Sequence, residues 1–538
     1  MLYPAKEHVR QTGEKLVGLL PDVDRAKTQI VLLAGEVTPF RNDTDRELSF
    51  RQESNFYYLT GCNVPGSYLL AIYQVGTSFE KSPLVKLFIP KAELADIMWS
   101  IPPPSLDEAS ASHDVTNVYN VSTLVDQLTE ALTAFPDAIL HTFPTNSAVL
   151  PNFPAACASQ ILQAGRTLVD AHLLPAVHLA RLIKDDFEID LIRKANQISS
   201  RAHETVMRVL GKAVKGSITS PGPNANRPLL PGEWLIEQEA EAEAIFVASC
   251  RREGSIHQAY LPIVAGAQRA STLHYCCNDR EFAWGPVKPT DHKNHDHFPQ
   301  TGDKEFVPQV LLIDAGCEWS CYASDITRTM PVGNGGKFSP EARDIYNLVL
   351  DMQKAAMEIT KPGVHWDTVH YTCHKVLVQG FQRLGIFKTP DSPSSGSWNS
   401  EESILASGDS AAFFPHGLGH SLGMDVHDVP SASKPTVNPT ISETEKVGNP
   451  SYYTYLRLRL PLQKGMVVTI EPGCYFSPHL LAAIRDSKHI NHDVLKRYES
   501  VGGVRIEDVV LITEDGFENL TTVRSETEWI EGVCAGDL

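Results

Sequence analysis

Four acidic residues in the C-terminal half of the chain each interrupt or end a run of Val, Ile and Leu. They are Asp314, Asp325, Glu471 and Glu507. An ionised carboxylate is costly to bury among apolar side chains unless it is paired or bound to a metal. One such acid is usually an ion-paired core residue, but four of them require a common cause.

A histidine-rich segment, His416-Gly-Leu-Gly-His420, supplies the nitrogen ligand that a metal site would need. Two divalent cations would balance the charge of four carboxylates. Oxygen ligands with one imidazole favour Mn²⁺ or a similarly hard cation over a thiolate zinc site. Two such ions about 3.5–4 Å apart can activate water at neutral pH, so the expected chemistry is hydrolysis.

Hydrophobic patterning predicts α/β structure around these residues, in two domains. Residues 1–180 alternate strand-like and helical stretches and read as an α/β domain of their own. The strand-like stretches begin at Ile30, Phe56, Tyr68 and Val85, and the helix runs from Leu124 to Ala134.

The second domain, residues 184–535, is predicted to contain several apolar strands separated by helices, with the chemistry on the strands. Helical spacing extends over 187–210 and 233–251. Ser339 and Pro340 have the types expected at an N-cap and the first helical position, which predicts a helix ending at Lys361.

Three polar segments without periodicity, 286–303, 389–403 and 431–451, are predicted to be loop insertions on the surface of this domain. The first contains His292, His295 and His297. Their composition resembles a metal site, but a polar insertion favours a solvated loop.

Composition narrows the function classes. A net charge of −18 and a pI near 5.6 argue against a general nucleic-acid or anionic-membrane binder. No secretory leader and no membrane span are predicted. The ten cysteines are spread along the chain without a C-x-x-C pair, which predicts reduced, buried thiols and a cytoplasmic protein.

Five motifs occur in the order found in the pita-bread metallopeptidases, and the sequence most resembles the aminopeptidase P/prolidase branch of that family. They are the segments around Ile313-Asp314, Ser324-Asp325, His416 to Asp428, Ile470-Glu471 and Val504 to Asp508. The match covers roughly residues 184–525. Segments 41–45 and 50–61 resemble the N-terminal domain of that branch. The resemblance implies a creatinase-like α/β domain followed by a pita-bread catalytic domain.

The resemblance also implies roles. Two divalent metal ions, Mn²⁺ by preference, would be held by Asp314, by the bridging Asp325 and Glu507, and by His420 and Glu471. Glu471 would also be the general base for a hydroxide that bridges the metals, and would later protonate the leaving nitrogen. The outer histidines His274, His416 and His427 would hold the substrate carbonyl and stabilise the intermediate.

Arg505 would orient carboxylates, and strand alternation places residues 505 and 507 on one face independently of the family.

The family implies proline-containing peptide substrates and leaves two activities open. An aminopeptidase would release the N-terminal residue before proline, whereas a dipeptidase needs a cation for the free prolyl carboxylate. Arg457 and Arg459, two apart on a predicted strand, are candidates, and surface arginines on a strand edge are an equal alternative. The aminopeptidase activity is preferred. The resemblance also implies a homo-oligomer, either a dimer or a tetramer. A metal-free binding protein and a metal-independent, creatinase-like hydrolase are disfavoured because all five ligands are present.

Overall fold

The computed structural model describes residues 2–42, 44–74, 83–95, 97–216, 235–286, 304–390, 398–436 and 448–538. The chain divides into two compact units, Met1–Ile183 and Lys184–Leu538. Both units mix helices and sheets, so the predicted α/β class is confirmed.

The first unit is built on a six-stranded mixed sheet of order β4-β3-β2-β1-β5-β6. The central strands β1, β2 and β3 pair antiparallel, and β4, β5 and β6 add in parallel. The strands are β1 (Gln29–Ala34), β2 (Tyr68–Tyr73), β3 (Leu84–Ile89), β4 (Asn117–Asn120), β5 (Ile139–His141) and β6 (Leu168–Val169). The helices are α1 (Ala5–Leu19), α2 (Asp22–Arg25), α3 (Ser54–Thr60), α4 (Leu106–Ser112), α5 (Leu124–Ala134), α6 (Ala155–Gln163) and α7 (Leu173–Arg181).

The core of this unit lies between the sheet and helices α5 and α6. Ile30 and Leu32 of β1 pack with Leu128 of α5 and Ile161 of α6, all of them buried. Helix α5 has the predicted bounds because its apolar residues recur with the helical period and face the sheet.

The strand predicted at Phe56–Thr60 is wrong, since these residues form helix α3. The Glu53 side chain accepts a hydrogen bond from the Phe56 backbone N–H at the helix start, and Gly61 ends the helix in the left-handed conformation. These two caps override the strand preference of consecutive aromatic residues.

The second unit carries nine α-helices among its described residues. They are α8 (Asp186–Val214), α9 (Glu239–Arg252), α10 (Pro340–Ile359), α11 (Trp366–Leu384), α12 (Glu401–Ser407), α13 (Pro430–Ser433), α14 (Pro478–Ala482), α15 (His492–Tyr498) and α16 (Thr527–Cys534). Asp185 and Glu188 form a capping box at the start of α8, as the acidic start of this segment leads one to expect. Ser339 caps α10, with Pro340 at its first position.

Its strands form small antiparallel sheets that bring distant segments together. Two three-stranded sheets have the orders β13-β10-β7 and β14-β17-β18, and two-stranded pairs join β8 with β9, β11 with β12, and β15 with β16. The strands are β7 (Ile263–Gly266), β8 (Trp284–Pro286), β9 (Lys304–Phe306), β10 (Gln309–Asp314), β11 (Glu318–Trp319), β12 (Tyr322–Ala323), β13 (Thr327–Val332), β14 (Val467–Ile470), β15 (Gly473–Tyr475), β16 (Gly503–Arg505), β17 (Asp508–Ile512) and β18 (Phe517–Asn519).

Several predicted boundaries move. Helix α9 begins at Glu239 rather than 233, because Gln238 and Glu241 form its capping box. The predicted loop 389–403 ends inside α12, which Ser400 caps, and 431–451 has helical turns at both ends. Part of each predicted insertion lies outside the described residues. His292, His295 and His297 are among the residues that lie outside.

Within the part of the chain that the structure describes, none of the helices combines the length and apolar character needed to span a membrane. All ten cysteines are free thiols. Eight are buried as predicted, but Cys276 and Cys277 are exposed, so the expectation of buried thiols is wrong for this pair.

Candidate metal centre

Two strands that pair antiparallel, β10 and β13, place the first two acids together. Asp314 ends β10, and its register partner on β13 is Thr327. Asp325 lies in the turn just before β13 rather than within a strand. A Cβ added at Gly316 would lie 1.9 Å from the Ser324 carbonyl oxygen, so only glycine permits this close approach.

The histidine segment runs beside β14, and this contact positions His420 and Glu471. The Thr469 N–H donates to the His420 carbonyl at 3.0 Å, and the Glu471 N–H donates to Leu418 at 2.8 Å. A Cβ at Gly419 would lie 2.0 Å from the Thr469 carbonyl oxygen. Gly419, the second glycine of the His-Gly-Leu-Gly-His motif, is therefore needed to bring His420 to the strand.

Glu507 reaches the site through a backbone bridge to Thr327. The Glu507 N–H donates to the Thr327 carbonyl at 3.1 Å, and the Thr327 hydroxyl donates to Glu507 Oε2 at 2.7 Å. Buried Arg328 donates to the Glu507 carbonyl at 2.8 Å and to Asp508 Oδ1 at 2.6 Å. This arginine fixes the backbone of the ligand.

Residues 505 and 507 do not lie on one continuous strand as predicted, but their side chains share a partner, as a common face requires. The strand is interrupted, because β16 ends at Arg505 and β17 begins at Asp508. Both side chains nevertheless meet at the Thr327 hydroxyl, which accepts from Arg505 Nε at 3.0 Å and donates to Glu507.

Ligand atoms of Asp325, His420 and Glu507 lie within 4.8 Å of one another. His420 Nε2 lies 3.4 Å from Asp325 Oδ2 and 3.5 Å from Glu471 Oε1. His420 Nδ1 is 3.1 Å from the Ser421 carbonyl, so Nδ1–H donates there and the Nε2 lone pair faces the acids.

Tyr260, which sequence reasoning missed, links the remaining acid to this cluster. Its hydroxyl contacts Asp325 Oδ1 at 2.5 Å and Asp314 Oδ1 at shorter range. Asp314 Oδ2 accepts from Arg505 Nη2 at 2.5 Å. No sequence signal separates this tyrosine from the many that fill protein cores.

Asp325, Glu471 and Glu507 resist ionisation in the absence of cations. Burial, and then repulsion from neighbouring carboxylates, raises the pKa of Asp325 and of Glu507 well above its usual value. Burial and repulsion from Glu507 raise the pKa of Glu471 to about 8. The buried oxygen Oε1 of Glu507 also has no hydrogen-bond partner among the described residues. These residues fit a pair of divalent cations, which would neutralise the charge and occupy the orphaned oxygen.

A hydrogen-bonded chain joins Arg505 to His416. Arg505 Nη1 donates to the Tyr475 hydroxyl at 3.0 Å, and that hydroxyl lies 2.8 Å from His416 Nε2. His416 Nδ1 lies 2.8 Å from the Gly417 carbonyl and 3.8 Å from Glu471 Oε2. Burial and the charge of Arg505 lower the pKa of His416 to about 3, so its ring is neutral. Tyr475 is a second residue that the motif search missed, although it lies four residues after Glu471.

The other outer histidines and Arg457 surround this cluster. The His427 ring meets the His420 ring edge to face at 4.5 Å. Burial is the main cause that lowers the pKa of His416, and His274 contributes repulsion, which places His274 nearby. Arg457 is exposed, and its charge lowers the pKa of His420 after the larger effect of burial. Direct contacts thus join the five proposed ligands, Arg505, His416 and His427, and the charges of His274 and Arg457 act on this group.

The predicted strand carrying the two candidate arginines is not present. Residues 456–459 have an irregular conformation. Arg459 binds Asp367 through Nη2 at 2.6 Å and Nε at 3.2 Å and lies over the Tyr453 ring. Arg459 is therefore committed to a structural ion pair, whereas the charge of Arg457 acts on His420.

The loop of His427 is anchored by a buried ion pair. Lys184 Nζ lies 2.8 Å from Asp428 Oδ2, and both side chains are about 1% exposed. We expect Lys184→Met to destabilise the protein by about 3–5 kcal/mol, because it removes the cation beside a buried carboxylate. Urea unfolding checks this value. The double variant Lys184→Met/Asp428→Leu should recover much of the loss, and a single-variant cost near zero would contradict the expectation.

The fold and this site define a metallopeptidase, and the chain belongs to metallopeptidase family M24, whose model matches residues 190–514. The model "Aminopeptidase P, N-terminal domain" matches residues 6–139. The resemblance seen in the motifs is therefore confirmed, as is the hydrolase class.

Relatives that match over nearly their full length carry names that specify an activity within this family. The chain is 36% identical to "Probable Xaa-Pro aminopeptidase PEPP" of Paracoccidioides brasiliensis strain Pb18, over 98% of this chain and 96% of the relative. The protein of the same name from Pyricularia oryzae is 37% identical, over 99% and 97%. Among solved structures, Escherichia coli aminopeptidase P in its low-pH form matches with a TM-score of 0.69 and 26% identity, over 98% of both chains.

Proposed function

We propose that this protein is a metal-dependent Xaa-Pro aminopeptidase that releases the N-terminal residue from peptides with proline in second position. The observation that carries the proposal is the group of Asp314, Asp325, His420, Glu471 and Glu507, in which burial and repulsion between carboxylates raise the pKa of Asp325, Glu471 and Glu507. The full-length relatives named as Xaa-Pro aminopeptidases support the same activity.

Two divalent cations per subunit would be held by Asp314, Asp325, His420, Glu471 and Glu507. When bound, such ions polarise a carbonyl and lower the pKa of water. The oxygen-rich donor set supports Mn²⁺ as the metal.

Glu471 is proposed to be the general base. Burial and repulsion from Glu507 raise its pKa to about 8 in the metal-free site, so its carboxyl can hold a proton near neutral pH. Bound cations would lower this pKa. Glu471 would take a proton from water and deliver it to the prolyl nitrogen as the peptide bond breaks.

The outer histidines would orient the peptide. His416 is held between the Gly417 carbonyl and the Tyr475 hydroxyl, and this hydroxyl is itself held by Arg505. His274, His416 and His427 together would hold the substrate carbonyl and stabilise charge that develops on its oxygen. Arg505 would act as a positioning residue for Asp314 and Tyr475.

A dipeptidase is the second candidate, because Arg457 is exposed, its charge acts on His420, and it could bind a free prolyl carboxylate. We expect an Xaa-Pro-Yaa tripeptide to be cleaved at least about tenfold more efficiently than the Xaa-Pro dipeptide, a difference of about 1.4 kcal/mol in transition-state binding. The ratio of the two kcat/KM values measures this preference. Exclusive cleavage of the dipeptide would overturn the aminopeptidase assignment.

The variant Arg457→Ala tests the arginine itself. It should raise KM for the dipeptide and leave the tripeptide less affected, if Arg457 contacts the prolyl carboxylate. Arg497→Ala, which removes an exposed arginine that pairs with Glu341, is the matched control. Equal losses for both substrates would assign Arg457 a role in folding or in the site as a whole.

A cytoplasmic location and a dimer or tetramer complete the proposal. Ten free thiols support a reducing compartment.

A further inference from the structure

Two adjacent thiols are the exception to the burial of cysteines in this protein. All ten cysteines lie in described parts of the chain, and Cys276 and Cys277 alone are exposed. Neither belongs to the ligand set described above. They follow His274 by two and three residues.

Both ends of this dipeptide are held by buried partners. On one side, the Tyr275 hydroxyl donates to Glu239 Oε2 at 2.8 Å, and Arg269 Nε donates to Glu239 Oε1 at 2.6 Å. On the other side, buried Asn278 has a φ of 48° and donates to Glu243 Oε2 at 3.0 Å. The two thiols are therefore carried by an irregular segment that is held on both sides.

The same segment is hydrogen-bonded to the strand beside the metal centre. Asn278 Oδ1 accepts from the Val264 N–H at 3.0 Å, and its Nδ2 donates to the Pro262 carbonyl at 2.8 Å. These two residues flank Ile263, whose register partner on β10 is Asp314. The Cys276 thiol donates to the His274 carbonyl at 3.5 Å. The exposed thiols thus lie at the edge of the site, next to an outer histidine.

We propose that Cys276 and Cys277 form a dithiol site for trivalent arsenicals and that a ligand bound there obstructs substrate entry to the metal centre. With phenylarsine oxide, both S–H bonds break, two As–S bonds form, and the oxygen leaves as water. Arsenic stays trivalent, so no oxidant or reductant is needed. The binding step is independent of the proposed function, whereas the obstruction step rests on it.

The pair is what makes the site selective. The second As–S bond forms within one molecule, so effective concentration strengthens binding by about 10²–10⁴-fold over one thiol. The other eight cysteines are buried and spread through the core, where a phenylarsenic group has no access.

The test treats metal-loaded full-length protein with phenylarsine oxide and measures intact mass and peptidase activity. The wild type should gain one phenylarsenic group and lose most of its activity. Cys276→Ser and Cys277→Ser should each need about 100-fold more reagent than the wild type for the same mass gain and the same fractional loss of activity. The activity of each variant is compared with that of the same variant without reagent. Cys321→Ser, which removes a buried thiol, should respond as the wild type does.

Each result decides one step. No mass gain in the wild type, or equal gain in both serine variants, would overturn the dithiol site. If the mass gain depends on both cysteines but the treated wild type keeps its full activity, the proposal that the bound ligand obstructs substrate entry would be overturned. If the untreated protein has no peptidase activity, the proposed function fails, while the mass measurement still decides the dithiol site.

Discussion

Replacing Glu471 with glutamine is expected to lower kcat/KM for an Xaa-Pro-Yaa peptide by about 10³-fold or more. The amide keeps the size of the side chain and one oxygen ligand, but it can neither accept the proton from water nor return it to the leaving nitrogen. The Glu471 carboxylate lies 3.5 Å from His420 Nε2, so the change is confined to the centre of the site.

Metal content and thermal unfolding must be measured on the same sample, because Glu471 is also a proposed ligand. Glu514→Gln is the matched control, since Glu514 is exposed and pairs with Lys464 at the surface. It should retain the activity of the wild type. A metal-loaded Glu471→Gln variant that turns over at the wild-type rate would refute the proposed mechanism.

Removal of metal should abolish activity and make stability fall as pH rises. An acid whose pKa is raised on folding binds more protons in the folded state than in the unfolded state. For Glu471 this holds between its usual pKa of 4.5 and about 8. Stability of the metal-free protein therefore decreases across that window, and Asp325 and Glu507 act in the same direction.

Cations reverse this dependence, because they bind the ionised carboxylates and displace protons. We expect chelation to reduce activity at least about 100-fold, with Mn²⁺ the best restorer. Added metal should raise the Tm more near pH 8 than near pH 5. In the metal-free state, Glu471→Gln should have a higher Tm than the wild type near pH 8. Full activity after exhaustive chelation, or a metal-free Tm that rises with pH, would contradict the dinuclear site.

The metal ligands could be predicted from sequence because burial of charge leaves a visible pattern. An acid such as Glu471 directly after Val467–Ile470 is costly without a compensating cation, and several such acids in one chain limit the explanations. Helices with strong caps were also predictable, as Ser339 and Pro340 illustrate.

Other features depend on tertiary contacts that local patterns do not encode. Tyr260 and Tyr475 enter the site only because strands from distant segments pair. Arg457 and Arg459 each lie between two leucines, so the sequence around them is alike. Only the contact of Arg459 with Asp367 distinguishes them. Phe56–Thr60 became helical through its two caps, against the strand preference of its aromatic residues.

The bridge between Thr327 and Glu507 also has a consequence for biosynthesis. The start of β13 leaves the ribosome long before Glu507 does, because 180 residues separate Thr327 from Glu507. Contacts of such long sequence separation form late in folding, and domains are completed in the order of synthesis. A nascent chain therefore exposes Asp314 and Asp325 without their final partner. We expect cations to be acquired only once nearly the whole catalytic unit has been translated.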